Sequence, residues 1–559
     1  MIKVSDYLVQ LLIKCGVKTY FGVQGGAIAH VIESSAKKAE YIPVFNEQSA
    51  GLSAHGYYFA NNRPAATLVT TGPGLLNSVT GLAACYYDNV PAVFIAGQVS
   101  KELNLAEKFK MKMYGFQEVP HLKIGKKIAH NIFNINSEKS LVEFVKYLTD
   151  LNYKISNTIL IEIQDGFSRE KISVPKLPKL KNKVIKNNLS LKNELSTFFK
   201  LLSNASKPVM IVGAGFKNLK SKTEITNFSK KFNIPLASTW GGSPFIEKNN
   251  KLYLGYFGTH SPGLANEKIS SADLVICLGV GLLQHQCGKK YELFAQKSKI
   301  IYINNDQNNL KRIKIDFKKK IFPIKSDTTH FIKQSLRTRT KKSFRFINSD
   351  VSNYVFQNDS KPVQILDKIF DTYDKLKTKK KKIIFSDAGA TLSWSFQAAN
   401  ISKTVNLVTA YNLHTMGYSL PAAIGASLKK DNYSLALIGD GGFLMNCQEL
   451  ANFCRAKNNL KMIIIDNKGY GIIRQTQDEF FKSNYVGTKI SLKNNLAEYN
   501  PANICKSFNV KTLSKNEDIK KSDIDAFFKS NYQCLVININ PKYRVPYTKP
   551  KNKEVPFFY

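Results

Sequence analysis

Acidic residues and arginine are scarce in this sequence of 559 residues. Lys and Arg together number 81 against 41 Asp and Glu, a formal net charge of +40, but only nine of the basic residues are Arg. Proteins that bind nucleic acid usually cluster their basic residues and use Arg for paired contacts to phosphates and bases. Here the lysines are spread along the chain, and no basic patch is interleaved with stacking aromatics. We therefore expect no nucleic-acid partner.

The sequence also lacks paired cysteines. No Cys-x-x-Cys occurs, and no His stands at metal-ligand spacing from a cysteine. Because 43% of the residues are hydrophobic, the chain can bury full-sized cores, and a small disulfide-stapled scaffold is excluded. We expect a cytoplasmic protein whose eight cysteines are buried thiols of a reducing compartment, namely Cys15, Cys85, Cys277, Cys287, Cys447, Cys454, Cys505 and Cys534.

Long apolar runs without charges or turn residues are missing as well. Lys3, Asp6 and Lys14 surround the short apolar stretch at the N-terminus, which predicts no signal peptide. The segment from Pro64 to Tyr87 has no charge, but the turn residues Thr71–Gly74 interrupt it. This pattern favours a core segment over a membrane span, and we expect no membrane partner.

Short apolar runs alternate with helix-period segments throughout the chain. Continuous apolar strands are typical of parallel sheets that are covered on both faces. Lys/Pro/Asn-rich stretches near 172–190 and 340–362 divide the series. The sequence therefore predicts three doubly wound α/β domains, at residues 1–171, 190–340 and 362–545. The predicted strands are Thr19–Val23, Ala66–Val69, Ala92–Ala96, Thr158–Ile163, Val209–Val212, Leu274–Leu278, Ile300–Ile303, Lys382–Ser386, Leu435–Ile438, Met462–Asp466 and Cys534–Ile539.

One segment in the last third combines a predicted strand, a glycine turn and a helix. Leu435–Ile438 is followed by Gly439-Asp440-Gly441-Gly442. The apolar residues after this turn are spaced for a helix, namely Leu444, Cys447, Ala451 and Cys454. A helix N-terminus attracts phosphate, and an Asp beside it can hold a Mg²⁺ that bridges to a diphosphate.

A second strand adds further oxygen ligands. Asn467 follows the strand that ends at Asp466, and Gly469 can offer a backbone carbonyl. Gly-Asp-Gly alone is typical of an ordinary turn, whereas the added Asn at this spacing favours a metal and diphosphate site.

These residues carry a family resemblance. Gly439–Gly441 together with Asn467 resembles the magnesium-diphosphate motif of thiamine-diphosphate-dependent enzymes. His414–Gly425 resembles the stretch of acetolactate synthases whose Met supports the bent cofactor, here Met416, and Arg474–Gln477 follows as in that group. The resemblance implies pyrimidine-binding, central and diphosphate-binding domains, with thiamine diphosphate and Mg²⁺ as cofactors.

The N-terminal part of the chain supplies the other half of such a site. Phe45–Gly51 resembles the segment with the family's catalytic Glu, here Glu47. Its carboxyl would hydrogen-bond the aminopyrimidine and favour the tautomer that removes the reactive proton of the cofactor. Without the other motifs, Glu47 would be interpreted as a solvated loop carboxylate. Phe116 and Gln117 match the Phe-Gln pair that lines the substrate site of acetolactate synthases.

The resemblance implies the following roles. Catalytic or substrate contacts are expected from Glu47, Phe116 and Gln117, and metal ligation from Asp440, Asn467 and Gly469. Cofactor contacts are expected from Gly25, Glu47, Asn77, Gly389, Ala390, Thr391, Met416, Asp440, Gly441, Gly442, Asn467, Gly469, Tyr470, Gly471 and Ile472.

The sequence departs from the family pattern at several places. Gly258–Ser261 resembles a stretch that contacts FAD, but the expected Arg-rich run is replaced by Val280–His285, which leaves FAD open. Where the family pattern has a Pro, this sequence has Gln24, and where it has a Lys, this sequence has His130. We expect both positions to lie near the substrate. The turn Gly213-Ala214-Gly215 favours a strand end over a nucleotide site.

The resemblance implies decarboxylation of a 2-keto acid, with pyruvate as the favoured substrate. The acyl carbanion equivalent is then transferred to a second carbonyl compound. Alternatives are acyl transfer to a sugar or specialised ketone, a non-ligating decarboxylase, and a catalytically silent binding subunit. It also implies a homodimer or homotetramer with sites shared between chains. We expect Pro64–Tyr87 and Leu413–Leu428 to be buried in its interface.

Overall fold

The fold consists of three six-stranded parallel sheets, one in each of three successive domains. We call residues 1–174 the first domain, 191–338 the middle domain and 360–546 the third domain. The computed structural model describes residues 1–174, 191–216, 221–247, 249–261, 263–288, 291–317, 321–338, 360–402, 406–491 and 493–546. Most of the two predicted linkers, at 175–190 and 340–359, lies outside the described residues.

In the first domain the strands take the order β3-β2-β4-β5-β7-β6, all parallel. The central strand β5 is buried at every position, which explains its unbroken apolar sequence. A short antiparallel pair, β1 with β8, joins the two ends of the domain. The strands are β1 Ile2–Lys3, β2 Thr19–Gly22, β3 Glu40–Pro43, β4 Ala65–Val69, β5 Ala92–Gln98, β6 Asn131–Ile135, β7 Thr158–Gln164 and β8 Lys171–Ile172. The helices are α1 Val4–Lys14, α2 Ala29–Lys38, α3 Glu47–Asn61, α4 Pro73–Tyr87, α5 His121–Gly125, α6 Glu138–Asp150 and α7 Asp165–Arg169.

The middle domain has the strand order β11-β10-β9-β12-β13-β14, again with parallel pairs. Helices cover both of its faces, and each face has its own apolar cluster. The strands are β9 Pro208–Val212, β10 Leu236–Ser238, β11 Tyr253–Tyr256, β12 Leu274–Leu278, β13 Lys299–Asn304 and β14 Ile321–Lys325. The helices are α8 Lys192–Ser203, α9 Lys222–Phe232, α10 Gly263–Ser271, α11 Gln284–Cys287, α12 Gln307–Phe317 and α13 Thr328–Arg337.

The third domain has the order β16-β15-β17-β18-β20-β19. Its sheet, like the other two, is parallel throughout. The strands are β15 Lys381–Ser386, β16 Leu407–Val408, β17 Asn432–Gly439, β18 Leu460–Asp466, β19 Thr512–Asn516 and β20 Cys534–Asn538. The helices are α14 Lys361–Lys375, α15 Ala390–Ser402, α16 Ser419–Ser427, α17 Asp440–Met445, α18 Leu450–Phe453, α19 Gly471–Phe480, α20 Pro501–Ser507 and α21 Lys521–Lys529. Three doubly wound parallel-sheet domains are thus confirmed.

The first and third domains touch through helices α3 and α16. A Cβ at Gly56 would meet the backbone of Ala422, and one at Gly425 would meet the backbone of Ser53, so the two helices are in backbone contact. The Ser53 hydroxyl also donates to the carbonyl of Pro421 at 3.0 Å. All nine residues of α16 are buried in this way. The prediction that the apolar stretch 413–428 is reserved for a subunit interface is therefore wrong for α16, which the chain's own α3 covers.

The middle domain is anchored on helix α15 of the third domain. Trp240 stacks on Phe396 with ring centroids 4.5 Å apart and an interplanar angle of 2°. The Gln397 side chain donates to the carbonyls of His260 and Pro546, at 3.3 and 2.9 Å. These contacts place the His260 loop against the third domain.

The helix predicted after Gly442 differs from the expectation. It begins earlier, at Asp440, and breaks at Asn446, whose ψ of 28° and buried side chain end the first segment. Because the break shifts the helical phase, the apolar residues that were spaced for one helix are exposed or partly exposed, namely Leu444, Cys447, Ala451 and Cys454. Phe443, Leu450 and Phe453 enter the core instead.

The cysteine prediction needs one correction. Six cysteines are buried, but Cys447 is partly exposed and Cys454 is exposed, because both follow the break. Among the residues that the structure describes, no helix is both long and apolar enough to span a bilayer.

Candidate cofactor site

Asp440 and Asn467 lie side by side at one edge of the third sheet. Asp440 follows β17 directly, and Asn467 follows β18. These strands are parallel neighbours, paired through Gly439 and Ile465. Because the carboxyl ends of parallel strands meet at the same edge, the two motif residues converge, in the crevice where α/β sheets usually bind ligands.

The Asn467 side-chain amide meets two oxygens at this point. With its NH₂ group toward them, it donates to the Gly469 carbonyl at 2.5 Å and to Asp440 Oδ1 at 3.1 Å. Asp440 Oδ2 accepts hydrogen bonds from the Gly469 amide at 2.7 Å and from the Tyr499 hydroxyl at 3.2 Å. A half-turn of the Asn467 amide would instead present its side-chain oxygen beside the Asp440 carboxylate and the Gly469 carbonyl. Asn467 can therefore donate to these oxygens in metal-free protein, or add an oxygen ligand to a cation.

This donor set fits Mg²⁺. The ion takes hard oxygen ligands and is commonly held by one or two carboxylates, with phosphate oxygens and waters in its other positions. The described residues contain no group of three His, Cys, Asp or Glu side chains that could hold a metal without such help. Asp440, Asn467 and Gly469 would therefore hold Mg²⁺ together with a phosphate-bearing cofactor.

The Asp440 carboxylate is in an environment that opposes its charge. Burial, and then the neighbouring Asp466 carboxylate, raise the pKa of Asp440 above its usual range. A buried anion of this kind is stabilised by a cation. The electrostatics of the site thus agree with its oxygen geometry.

A cavity of about 400 Å³ opens beside these oxygens. Every third-domain residue that the sequence predicted to bind cofactor lies in its wall, namely Gly389, Ala390, Thr391, Met416, Asp440, Gly441, Gly442, Asn467, Gly469, Tyr470, Gly471 and Ile472. The opposite wall contains Trp240, Thr259, His260 and His285 of the middle domain. Sequence reasoning did not predict the contribution of Trp240, because nothing in its local pattern marks it.

Asp387 is a buried residue of this site that the sequence interpretation missed. Its Oδ1 accepts from the amides of Ala388 and Gly417, both at 2.9 Å, and its Oδ2 accepts from the amide of Ser419 at 3.0 Å. Burial raises the pKa of Asp387 to about 6, although these hydrogen bonds act against that rise. Asp387 therefore ties the turn before Gly389 to the loop that carries Met416.

We expect Asp387→Asn to lower the free energy of unfolding by about 2 kcal/mol. The amide keeps the shape of the carboxylate but points an NH₂ group at a backbone N–H, which leaves buried donors unpaired. Urea denaturation measures the loss. Asp518→Asn is the matched control, because the Asp518 side chain is 76% exposed. Equal stability of the two variants would contradict the assigned role.

The loop before Met416 is also held from the first domain. Asp88 accepts from the amides of Tyr411 and Asn412, at 2.8 and 3.0 Å. His55 lies between Asp88 and Tyr418. Its Nε2 is 3.0 Å from Asp88 Oδ2, and its Nδ1 is 2.8 Å from the Tyr418 hydroxyl. This buried network orients both ends of the loop.

The first-domain half of the predicted site lies at the carboxyl edge of its own sheet. Gly25 follows β2, Glu47 follows β3 and opens α3, and Asn77 lies in α4 after β4. The Asn77 amide donates to Glu47 Oε2 at 3.1 Å. The structure thus brings the predicted catalytic carboxylate and a predicted cofactor residue together.

Phe116 and Gln117 belong to the loop after β5. Gln117 has a φ of +61°, and its carbonyl accepts from the Thr71 hydroxyl at 3.1 Å. Phe116 is 80% exposed. A Cβ at Gly72, whose φ is +62°, would meet the Gln117 carbonyl, so this approach requires glycine. The loop presents Phe116 outward, beside the Glu47 half-site.

The prediction that His130 lies near the substrate is wrong. His130 precedes β6 and accepts from the amide of Thr158, the first residue of β7, so it lies at the amino edge of the sheet. His121 lies at the site edge instead, where its Nε2 accepts from the Gly72 amide at 3.0 Å. Its position four residues after Gln117 was the available signal.

The two half-sites remain apart within one chain. In the described part of the structure, the cavity wall contains neither Glu47 nor Asn77, and neither Phe116 nor Gln117. The Glu47 loop instead contacts the segment after α17, where the Phe45 amide donates to Glu449 at 2.9 Å and the Ser49 hydroxyl donates to Asn446 at 3.0 Å. One chain therefore does not enclose a cofactor between Glu47 and Asp440.

Comparison with known proteins follows the same three domains. The thiamine pyrophosphate enzyme N-terminal TPP binding domain matches residues 2–123, the central domain matches 195–334, and the C-terminal TPP binding domain matches 387–539. These domains and the site define a thiamine-diphosphate-dependent enzyme, and the chain belongs to that family.

Within the family the chain is similar to acetolactate synthases. It is 28% identical to acetolactate synthase 2, chloroplastic, of Nicotiana tabacum, over 89% of this chain and 76% of that protein. It is 26% identical to the acetolactate synthase isozyme 2 large subunit of Escherichia coli, over 87% of both. It is 25% identical to the probable acetolactate synthase large subunit of Methanocaldococcus jannaschii, over 98% and 94%. The predicted family resemblance is confirmed.

Proposed function

We propose that this enzyme decarboxylates a 2-keto acid, with pyruvate as the favoured substrate, and transfers the acyl carbanion equivalent to a second carbonyl compound. The observation that carries the proposal is the cavity in which Asp440, Asn467 and Gly469 converge beside the predicted cofactor residues. Thiamine diphosphate supplies the carbanion chemistry when bound.

The residues of this chain would divide the work as follows. Asp440, Asn467 and the Gly469 carbonyl hold Mg²⁺ and so neutralise the diphosphate charge. Met416, in the cavity wall, supports the cofactor. Glu47 exchanges a proton with the aminopyrimidine ring from a carboxyl that Asn77 orients. Exclusion of water from the closed site favours attack on a carbonyl over protonation.

The separation of the half-sites leads us to propose a homodimer, alone or within a homotetramer. Glu47 of one chain would then face the Asp440 cavity of the other. Exposed apolar side chains flank both halves, which suits a buried apolar interface. They are Phe45, Leu76 and Phe116 in the first domain and Leu444, Met445, Ile473 and Phe480 in the third.

Product analysis tests the proposed reaction. Purified protein is incubated with thiamine diphosphate, Mg²⁺, pyruvate and a second ketone, and carbon dioxide and the carboligation products are measured. Removal of Mg²⁺ by a chelator should abolish both products, and added Mg²⁺ should restore them. Acetaldehyde as the sole product would indicate a non-ligating decarboxylase. Full activity without cofactor and metal would refute the proposal.

We expect the purified protein to be colourless, without flavin absorbance. Both glycine amides of the middle-domain turn are already used within the protein, because the Gly213 amide donates to the Leu278 carbonyl and the Gly215 amide to the Gly279 carbonyl, so neither faces a phosphate. An absorbance spectrum of protein purified without added flavin measures this. A yellow protein whose activity depends on FAD would contradict the expectation.

A further inference from the structure

Three of the eight histidines of the chain line the cofactor cavity, and the reaction proposed above gives them no role. They are His260 and His285 of the middle domain and His414 of the third. The His285 and His414 rings lie 5.9 Å apart, and Trp240 lies 5.6 Å from His414 and 6.4 Å from His260. We call these three residues the histidine wall.

The fold holds the middle-domain part of the histidine wall firmly. Gly258 has a φ of +125°, and the Asn266 side chain binds both its amide and its carbonyl at 3.1 Å. Thr259 then donates both its amide and its hydroxyl to the His285 carbonyl at 3.2 Å. The loops that carry His260 and His285 are thus bound to each other.

His414 comes from the third domain. It lies two residues before Met416, in the loop that Asp88 holds, and has a left-handed φ of +51°. The histidine wall therefore stands next to the residue predicted to support the reacting part of the cofactor. A molecule that approaches the cofactor through this cavity would contact imidazole rings.

These imidazoles are neutral near pH 7. Burial, and then the nearby His414 ring, lower the pKa of both His260 and His285 to about 4. Burial also lowers the pKa of His414. A neutral imidazole has one N–H donor and one nitrogen acceptor, which is the hydrogen-bonding pattern of a hydroxyl group. In His285 the Nε2 atom already lies 3.3 Å from the Gln286 side-chain nitrogen, so the ring binds a ligand through its other edge.

The middle-domain side chains beside the histidine wall are uncharged as well. Thr259 adds a hydroxyl, and Trp240 adds an aromatic surface. Although the chain has 81 Lys and Arg, none of the described residues that line this half of the shared site is one of them. A carboxylate is bound most strongly by Arg or Lys, whereas a hydroxylated neutral molecule is matched by these groups.

We propose that His260, His285 and His414 determine acceptor specificity, and that the acceptor is an uncharged carbonyl compound bearing hydroxyl groups, such as a small ketose. The inference rests on the proposed carboligation and names the substrate class for it. The histidine wall binds the hydroxyl groups and directs the carbonyl carbon of the acceptor toward the cofactor. It takes no part in decarboxylation of the donor.

The test compares acceptors in the holoenzyme with pyruvate as donor. Dihydroxyacetone carries two hydroxyls, acetone is the same ketone without them, and 2-oxobutyrate is an anionic acceptor. The ratio of kcat/KM for dihydroxyacetone to that for acetone should fall about tenfold or more in His285→Leu, because a polar site discriminates through paired hydroxyls. The two ketones differ in intrinsic carbonyl reactivity, but this difference is the same for wild type and variant. It therefore cancels when the two ratios are compared.

Two further variants control the result. His330→Leu alters a histidine of the same domain outside the cavity wall and should leave the ratio unchanged. His285→Gln keeps a donor and an acceptor and should recover part of the selectivity if the Leu variant folds poorly. An unchanged ratio in both His285 variants, or preference of the wild type for 2-oxobutyrate over dihydroxyacetone, would overturn the inference.

A binding measurement separates this inference from the proposed function. Saturation-transfer NMR with dihydroxyacetone and holoenzyme, without donor, should show binding that weakens in His285→Leu. Absence of pyruvate decarboxylation would count against the proposed function, and the NMR result would still decide the role of the histidines. No binding of dihydroxyacetone to the wild type would refute that role.

Discussion

Glu47→Gln should lower turnover at least about 100-fold while thiamine diphosphate still binds. General acid–base groups contribute roughly 10²- to 10⁴-fold, and an amide cannot exchange a proton at this position. The Asn77 hydrogen bond and the start of α3 can persist, because Gln keeps the shape and an oxygen acceptor. Steady-state kinetics give the turnover, and equilibrium dialysis gives the cofactor affinity.

Glu138→Gln is the matched control for this variant, since Glu138 also opens a helix, α6, but is exposed. It should retain the activity of the wild type. If Glu47→Gln kept more than a tenth of that activity, Glu47 would have to be reinterpreted as a solvated carboxylate.

Asp440→Ala should weaken thiamine diphosphate binding at least about 100-fold, since the variant loses the only carboxylate among the three residues proposed to hold Mg²⁺. The diphosphate charge would then lack its metal bridge. Isothermal titration with cofactor and Mg²⁺ measures the loss. Asp431→Ala is the control, because Asp431 flanks the same strand, β17, at its other end and is exposed.

The two inactive variants also test the shared site together. A hybrid dimer of Glu47→Gln and Asp440→Ala chains contains one site with both residues intact. Mixing the variants under conditions of chain exchange should therefore restore part of the activity. Absence of recovery despite proven exchange, or an active monomer in sedimentation, would exclude the proposed dimer.

Most interior strands could be predicted from the sequence, whereas the three-residue interior strand β10 and the edge strands could not. All eleven predicted strands overlap observed ones, because a strand covered on both faces is apolar throughout, as in β5. The edge strands β3, β6, β11, β14, β16 and β19 were all missed. β6 is fully buried only at Ile135, and β19 has no buried residue, so neither contains the unbroken apolar run on which the prediction depends.

Site residues were predictable where a local motif marks them. Asp440 and Asn467 follow predicted strands with glycines nearby, and the structure brings them together. Asp387 follows a predicted strand too, but has no partner motif that would give it a role. The histidine wall depends on how the middle domain packs on the third, and no pattern along one segment contains that information.

The close contact of α3 and α16 at Gly56 and Gly425 limits which domains of this protein can be exchanged with those of relatives. Neither Gly56 nor Gly425 has room for a side chain, so each of the two helices is shaped to the backbone of the other. A chimera that took its first domain from one relative and its third from another would have to reproduce that fit. We therefore expect that the first and third domains can be replaced only as a pair, both in natural recombination and in engineered chimeras.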